Sequence, residues 1–409
     1  MIPLRLVEVA ALCPGRLDAE PWAEEISGVQ IDSRRISEGD LFVAVGGGLD
    51  FRRHALARGA AATLVPDDAH GALAALGRAV RARSSACIVG ITGSTGKTST
   101  KDILAAICAP HRRTIAAEAS YNNELGVPLT LCRLEADTDL CILELAMRGT
   151  GQIASLCEIA QPDVGVVTNV GPAHLELVGS LDGVVRAKSE LIEALPAGGV
   201  AIVPEDFPVA RTDLAVVRFG DPVAVVAEEH TVLSFDGREV EFSFAARHQA
   251  RNAFAALLAA RAVGIEAENQ VEVAFSRWRG EELPLPGGGL LVNDCWNANP
   301  VSMRAALEHL AARASGRRAL AVLGGMAELG AEAPRYHEEI AALASRLGID
   351  VLAVGELARA YDAAAWVGDP AAAAERVREL IRPGDCVLVK GSRAVGLEVV
   401  ADALTPVPI

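Results

Sequence analysis

Aromatic residues are scarce in this 409-residue chain: nine Phe, four Trp and three Tyr, 4% of the total. So thin a supply argues against a base-stacking surface for single-stranded nucleic acid. Positive charge is also short. Thirty-eight Lys and Arg stand against 53 Asp and Glu, a formal charge of −15, which excludes a broadly basic nucleic-acid surface. An anionic ligand can still bind in a local pocket of backbone N–H groups and a few cations. No window reaches the roughly 18 charge-free apolar residues that span a bilayer. The first twenty residues, MIPLRLVEVAALCPGRLDAE, turn acidic without a sustained apolar run, unlike a signal peptide. The eight cysteines form no C-x-x-C pair, and several sit in apolar runs, as Cys141 does in LCILEL. Reduced, buried thiols in a cytoplasmic protein are expected, with no disulfide framework or zinc site. What remains is the composition of a soluble α/β enzyme, 51% hydrophobic and 22% charged, long enough for two or three domains of about 150 residues.

Residues 1–83 hold short strand candidates (GVQID, DLFVAV, AATLV) and an Ala-rich helical stretch after Asp50, which together read as a small α/β unit. GRAVRARSSA reads as a basic connector. A second unit is expected over 84–311, with apolar strands in SACIVGIT, DLCILEL, DVGVVTNV and GVAIV separated by helical patterns, hence a largely parallel sheet. VAVVAEEHTVLSFDGREVEFSF alternates around a DG turn and reads as an antiparallel hairpin at the edge of that sheet. A third unit, 312–409, carries RRALAVLGGM, DVLAVGE and DCVLVKGS, a small doubly wound pattern with ligands expected at the strands' carboxyl ends.

The strongest local signal is Thr92-Gly93-Ser94-Thr95-Gly96-Lys97-Thr98, between an apolar strand and a helix. Glycines allow a tight turn whose N–H groups face phosphate oxygens, and the helix start adds its positive dipole end. Lys97 is placed to neutralise the β/γ-phosphates and the Thr98 hydroxyl to ligate Mg²⁺, although Ile91 stands where the strict pattern has its first Gly. Glu144 in CILELAM and His174 in TNVGPAH follow apolar strands and should emerge at the same sheet edge. Both suit Mg²⁺, and both equally suit an ordinary strand-end acid and a capping imidazole. Lys188, on a helical stretch, reads alone as a solvated charge. Asp294, in LLVNDCWNANP, fits either a ribose hydroxyl or an Asx turn.

Together the blocks DSRRISEGDLFVAV, GITGSTGKTSTKD, SYNNELGVPLTL, LELAMRGTGQIASL, TNVGPAHLELVGSLDGVVRAKSEL, NDCWNANPVSMRAAL, VLGGMAELG and VLVKGSR resemble the Mur ligase family of ATP-dependent amide-bond-forming enzymes, over almost the full chain. NNELGVPLTL and NANPVSMRAAL resemble the branch that adds D-alanyl-D-alanine to UDP-muramoyl-tripeptide. The resemblance implies three domains: an N-terminal one for the UDP-sugar, a central P-loop parallel-sheet ATPase and a Rossmann-like C-terminal one for the amine. It implies that residues 93–99 (through Ser99) bind ATP, with Lys97, Lys188 and His174 catalytic. Thr98, Glu144 and His174 would be Mg²⁺ ligands, and Lys188 a carbamylated lysine holding a second Mg²⁺. Asn252 and Asp294 would hold adenosine, with Arg279 near the phosphates. Ser33, Arg34, Asn122 and Asn123 would contact substrate. Asn297 and Asn299, with Lys390, Ser392 and Arg393, would line the D-alanyl-D-alanine and phosphate side. The implied reaction passes through an acyl phosphate, in a cytoplasmic monomer.

The chain departs from the family pattern at four places. Gly46-Gly47-Gly48-Leu49 form a shortened loop where relatives carry Asp-Gly-His. Trp296 replaces Tyr, Gln249 replaces Asn, and Gly325 replaces Asp. A relative with another acyl acceptor or amine is the alternative that the shortened loop permits. A non-catalytic paralogue is a further one, opposed by the joint presence of Lys97, Thr98, Glu144, His174 and Lys188.

Overall fold

The strand Cys87–Thr92 is buried almost throughout and lies inside a six-stranded sheet in the computed structural model, which describes residues 1–227 and 229–405. Across the sheet the order is Ala215–Phe219, Val200–Pro204, Val164–Val167, Cys87–Thr92, Leu140–Glu144 and Thr114–Ala116, all parallel. Cys87–Thr92 pairs on one side with Val164–Val167 and on the other with Leu140–Glu144, so the later strands spread to both sides of it and the crossovers diverge there. Ligands of doubly wound sheets bind at such a switch point. Register brings Thr92 opposite Val167 and Ile91 opposite Glu144, so the loops after three strands open at one edge.

Side chains alternate between the two faces, as the strand period requires. Val89, Ile91, Ile142 and Val166 pack against the helices Lys97–Cys108 and Arg247–Ala262, where Ala253, Ala256 and Ala260 let the two helices approach closely. Ile88, Cys141, Leu143 and Val167 join a core that runs into the N-terminal unit, including Leu41, Val43, Leu73 and Leu76. That unit is a mixed sheet, Gly15–Ala19, Ala62–Pro66, Asp40–Val43 and Gly28–Gln30, with the helix Ala69–Arg81. The stretch read as a connector is therefore half helix. Arg81, at that helix's end, donates to the carbonyls of Ala160 (3.0 Å), Ala86 (3.1 Å) and Gln161 (3.1 Å), joining the two units.

Two further expectations are corrected. The hairpin Thr231–Phe235 and Arg238–Phe242 forms, but in a separate four-stranded sheet, not at the edge of the central one. Its inward side chains Leu233, Val240 and Phe242 pack with the helix Arg247–Ala262. The boundary at 311/312 also shifts. Glu281–Leu285, Gly289–Asp294 and the helix Pro300–Ala314, expected in the central unit, belong to the third sheet. Gly289–Asp294 pairs in parallel with Cys386–Lys390, which continues to Ala319–Gly324, Asp350–Val354 and Ala365–Val367. The physical reason is that Leu291 and Val292 bury against opposite faces of that sheet, and no pattern in the chain shows which sheet an isolated strand will join. Residue 228 of the hairpin stretch and residues 406–409, at the end of the expected third unit, lie outside the described residues. All eight thiols are free, seven of them buried.

Replacing Arg81 by Ala leaves three inter-unit carbonyls without a partner. The expected loss is about 2 kcal/mol of stability, read as a lower urea midpoint; an unchanged midpoint contradicts the bridging role.

Candidate functional site

The loop after Cys87–Thr92 is shaped by what surrounds it. Gly93 has φ +152°, and a Cβ there would lie 1.8 Å from the Thr168 hydroxyl. Gly96, at φ +78°, caps the helix Lys97–Cys108, and a Cβ there would meet the Asn252 amide oxygen at 2.2 Å. Only glycine fits either place. The neighbouring loop clasps the turn: Thr168 Oγ1 donates to the Thr95 carbonyl (2.6 Å), Asn169 Oδ1 accepts the Thr95 N–H (2.9 Å), and Ser94 Oγ donates to the Gly171 carbonyl (2.9 Å). Lys97 Nζ folds back onto the Gly93 carbonyl at 2.8 Å.

Beside this turn, Glu144 is buried and accepts from Thr98 Oγ1 (2.8 Å) and Asn122 Nδ2 (2.8 Å). Lys188 is 2% exposed, not the solvated charge that a lone helix lysine suggests, and makes no hydrogen bond or ion pair among the described residues. Burial first, and then repulsion from Lys97, pushes its amine well below the usual lysine range. Burial lowers Lys97 as well, with Arg279 adding to the effect and Glu144 opposing it. Burial lowers Arg279, against the pull of Glu144, Asp294 and Asp102. Lys101 is tied to Asp102 at 2.7 Å and Lys390 to Asp294 at 2.5 Å. Lys97 and Arg279 therefore gather near one buried carboxylate, Glu144, with Lys188 buried close to Lys97. Such an excess of desolvated positive charge calls for an anionic occupant.

A cleft of about 1960 Å³ opens over the turn. Among its walls are Ser94 to Ser99, Asn122, Asn123, Glu144, His174, Asn252, Arg279, Asp294, Asn297, Asn299 and Lys390. Asn299 caps the helix Pro300–Ala314 and donates to the Ser94 carbonyl at 3.1 Å, docking the third unit on the turn. Other residues have different surroundings. Ser33 and Arg34 lie away from the cleft wall: Ser33 Oγ bonds His54 Nδ1 (2.9 Å) and Arg34 turns back on Asp32 (2.7 Å). Ser392 Oγ accepts the Ala327 N–H (2.9 Å), and Arg393 pairs with Glu398 (2.6 Å); neither lines the cleft. Asn252 donates to Gln249 (2.7 Å), which reaches Ser99 (3.2 Å), so the Gln in place of Asn braces the start of the phosphate-loop helix. Trp296 stacks on Trp278, centroids 5.7 Å apart at 17°, so the indole replacing Tyr already has one face covered by protein. At Gly325 any side chain would run into Leu357 at 2.4 Å, which accounts for the missing Asp.

Sequence reasoning assigned no role to Asn169, the clasp, or to Glu328, which reaches His174 from the third unit. The GGM turn ends a strand at the ligand-binding edge of its sheet, a signal that could have drawn attention to Glu328 nearby. His248 and His309 also went unassigned. They meet edge-on at 5.6 Å on the cleft wall, with His309 Nε2 on Glu282 (2.8 Å).

A glycine turn, a buried lysine and a strand-end carboxylate at the switch point of a parallel sheet define a nucleotide-phosphate-binding α/β protein. Residues 91–260 match the Mur ligase middle domain and residues 278–393 the Mur ligase, glutamate ligase domain. The chain is 37% identical to the UDP-N-acetylmuramoyl-tripeptide–D-alanyl-D-alanine ligase of Mycobacterium tuberculosis (strain ATCC 25618 / H37Rv), over 99% of this chain and 98% of that one. MurF from Acinetobacter baumannii superimposes with a TM-score of 0.83 at 29% identity, covering 98% of this chain and 99% of that one. MurF ligase from Thermotoga maritima in complex with ADP gives 0.77 at 29%, over 92% and 96%. The chain belongs to the Mur ligase family, and its three-domain α/β architecture is that of these structures. Among the described residues no helix is long and apolar enough to cross a membrane.

Burial holds His248 neutral, its pKa down at about 3 against 6.5 when unfolded. Between those values only the unfolded chain takes the proton, so stability falls as pH drops below 6.5. His248→Asn should lose less stability from pH 6.5 to 5, by up to about 1.4 kcal/mol per pH unit. Parallel urea midpoints of wild type and variant across that range would refute the assignment.

Proposed function

We propose that this chain joins D-alanyl-D-alanine to UDP-N-acetylmuramoyl-tripeptide in an ATP-dependent reaction, in the cytoplasmic assembly of peptidoglycan precursor. The observation that carries the reading is the pair of cations, Lys97 and Arg279, beside Glu144 at the glycine turn, an electrostatic fit for a triphosphate. The names of the relatives, and the ADP held by the Thermotoga maritima structure, support it.

The donor set also fits Mg²⁺. Thr98 and Glu144 offer hard oxygens, and His174 Nε2 has no partner among the described residues. Lys188 does not fit as an ammonium, since it would add a third cation. Burial disfavours that ammonium, and the free amine can instead add to CO₂, releasing a proton and leaving a carbamate oxygen for a second ion. Two Mg²⁺ held by Thr98, Glu144, His174 and carbamylated Lys188 would supply charge neutralisation of the phosphate oxygens.

Lys97 would spread charge on the γ-phosphate as the tripeptide's terminal carboxylate attacks it and ADP leaves. The dipeptide amine then attacks the acyl carbon and phosphate leaves. Water at about 55 M would compete for the activated acyl group, so the step needs a closed cleft. Asn299, joining the third unit to Ser94, helps form that closure, and Asn297 and Lys390 stand on its amine side.

Phosphate release from ATP with UDP-muramoyl-tripeptide should rise at least tenfold on adding D-alanyl-D-alanine and not with other amines. No stimulation would move the assignment to another amine. Lys188→Ala should be inactive, below about 1% of wild type, and partly restored by acetate; wild-type activity would remove the carbamate.

A further inference from the structure

Glu328 lies on the third unit, yet its carboxylate is hydrogen-bonded to Nδ1 of His174 on the central one. We propose that Glu328 is a positioning residue for the metal site, orienting His174 from across the cleft so that Nε2 is presented for coordination. The inference rests on the reading of His174 as a magnesium ligand.

The contact is built from both sides. His174 and Glu328 each hold a left-handed backbone, φ +57° and +62°, a conformation that costs a non-glycine residue of order 1 kcal/mol. The Glu176 N–H donates to the Glu328 carbonyl at 3.2 Å, closing a second bond across the interface. Arg148 Nε lies 3.8 Å from the other Glu328 oxygen. Behind Glu328 the loop from Gly324 is pinned at successive residues. Tyr361 Oη donates to the Gly324 carbonyl (3.0 Å), and the Ser392 N–H to the Gly325 carbonyl (3.1 Å). His337 Nε2 accepts the Met326 N–H (2.9 Å), and Ser392 Oγ accepts the Ala327 N–H (2.9 Å). His337 Nδ1 donates to the Ala333 carbonyl (2.6 Å), which fixes its tautomer as the acceptor Met326 needs. A loop held at four consecutive residues delivers the carboxylate of the next one to a fixed point. Ser392, whose family resemblance suggested a substrate contact, acts in this scaffold.

The chemistry follows from the imidazole. A carboxylate on Nδ1–H fixes the tautomer with its lone pair on Nε2 and raises that nitrogen's basicity, as outer partners of metal-bound histidines do. His174 Nε2 has no protein partner among the described residues, and His174 lines the cleft. The amine-side unit thereby contributes a residue to the phosphate-side centre.

The test is Mn²⁺ binding to the full chain with a non-hydrolysable ATP analogue, followed by electron paramagnetic resonance. Glu328→Ala should weaken Mn²⁺ about tenfold, leaving analogue affinity within twofold and the unfolding midpoint near wild type. Glu328→Gln, which keeps an acceptor but not the charge, should fall between, and it carries the test if the Ala variant does not fold. The Mg²⁺ concentration for half-maximal turnover should rise in parallel, with KM for ATP unmoved. Mn²⁺ affinity unchanged in both variants overturns the proposal. Tighter Mn²⁺ binding also overturns it, since Glu328 would then be a competitor that the metal must displace. His174→Ala separates the two readings: if it leaves Mn²⁺ affinity unchanged, the metal assignment itself fails.

Discussion

Lys97 and Arg279 stand beside Glu144, a buried carboxylate at the carboxyl edge of a parallel sheet, and Lys188 is buried close to Lys97. Desolvated charge of one sign is costly, and the surrounding structure sustains it. The sheet fixes Glu144 opposite Ile91, and the clasp of Thr168 and Asn169 on Thr95 fixes the turn. Asn299 and Glu328 bring the third unit against both. A pocket with this imbalance has much to gain from a polyanion. A nucleotide here would satisfy the fold and bind in the same act.

The same arrangement explains why the units are not independent. The N-terminal unit shares a continuous apolar core with one face of the central sheet, and Arg81 stitches the seam. The third unit has its own two cores, one on each face of its sheet. It meets the centre through few, polar contacts of the kind that can break and re-form as a cleft opens. Trp278, in the left-handed region at φ +65° and stacked on Trp296, stands at the junction, close to where Ser276 bonds Asp102.

Much of the fold was legible. Apolar runs ending in Gly or a polar turn located the central strands, because a strand buried on both faces needs such a run and a parallel sheet needs a crossover after each. The glycine turn was legible for a similar reason, since φ +152° and +78° admit little else. Strand membership was not. LLVND reads alike in either sheet, and pairing with Cys386–Lys390 joins residues nearly a hundred positions apart. The hairpin was read correctly and placed in the wrong sheet, because alternation reports exposure and not the neighbour.

The chain by itself determined the residue types at the site and their place at strand ends, since local backbone geometry and hydrophobic period act over a few residues. It marked Lys97, Thr98, Glu144 and His174 before any of them was seen together. Only the tertiary structure decided that Lys188 is buried with no ion-pair partner among the described residues, that Lys390 neutralises Asp294, and that Ser392 braces a loop. It alone brought Glu328 to His174. The physical reason is that desolvation and charge pairing depend on what lies within a few ångströms, and the packing of distant segments sets that distance.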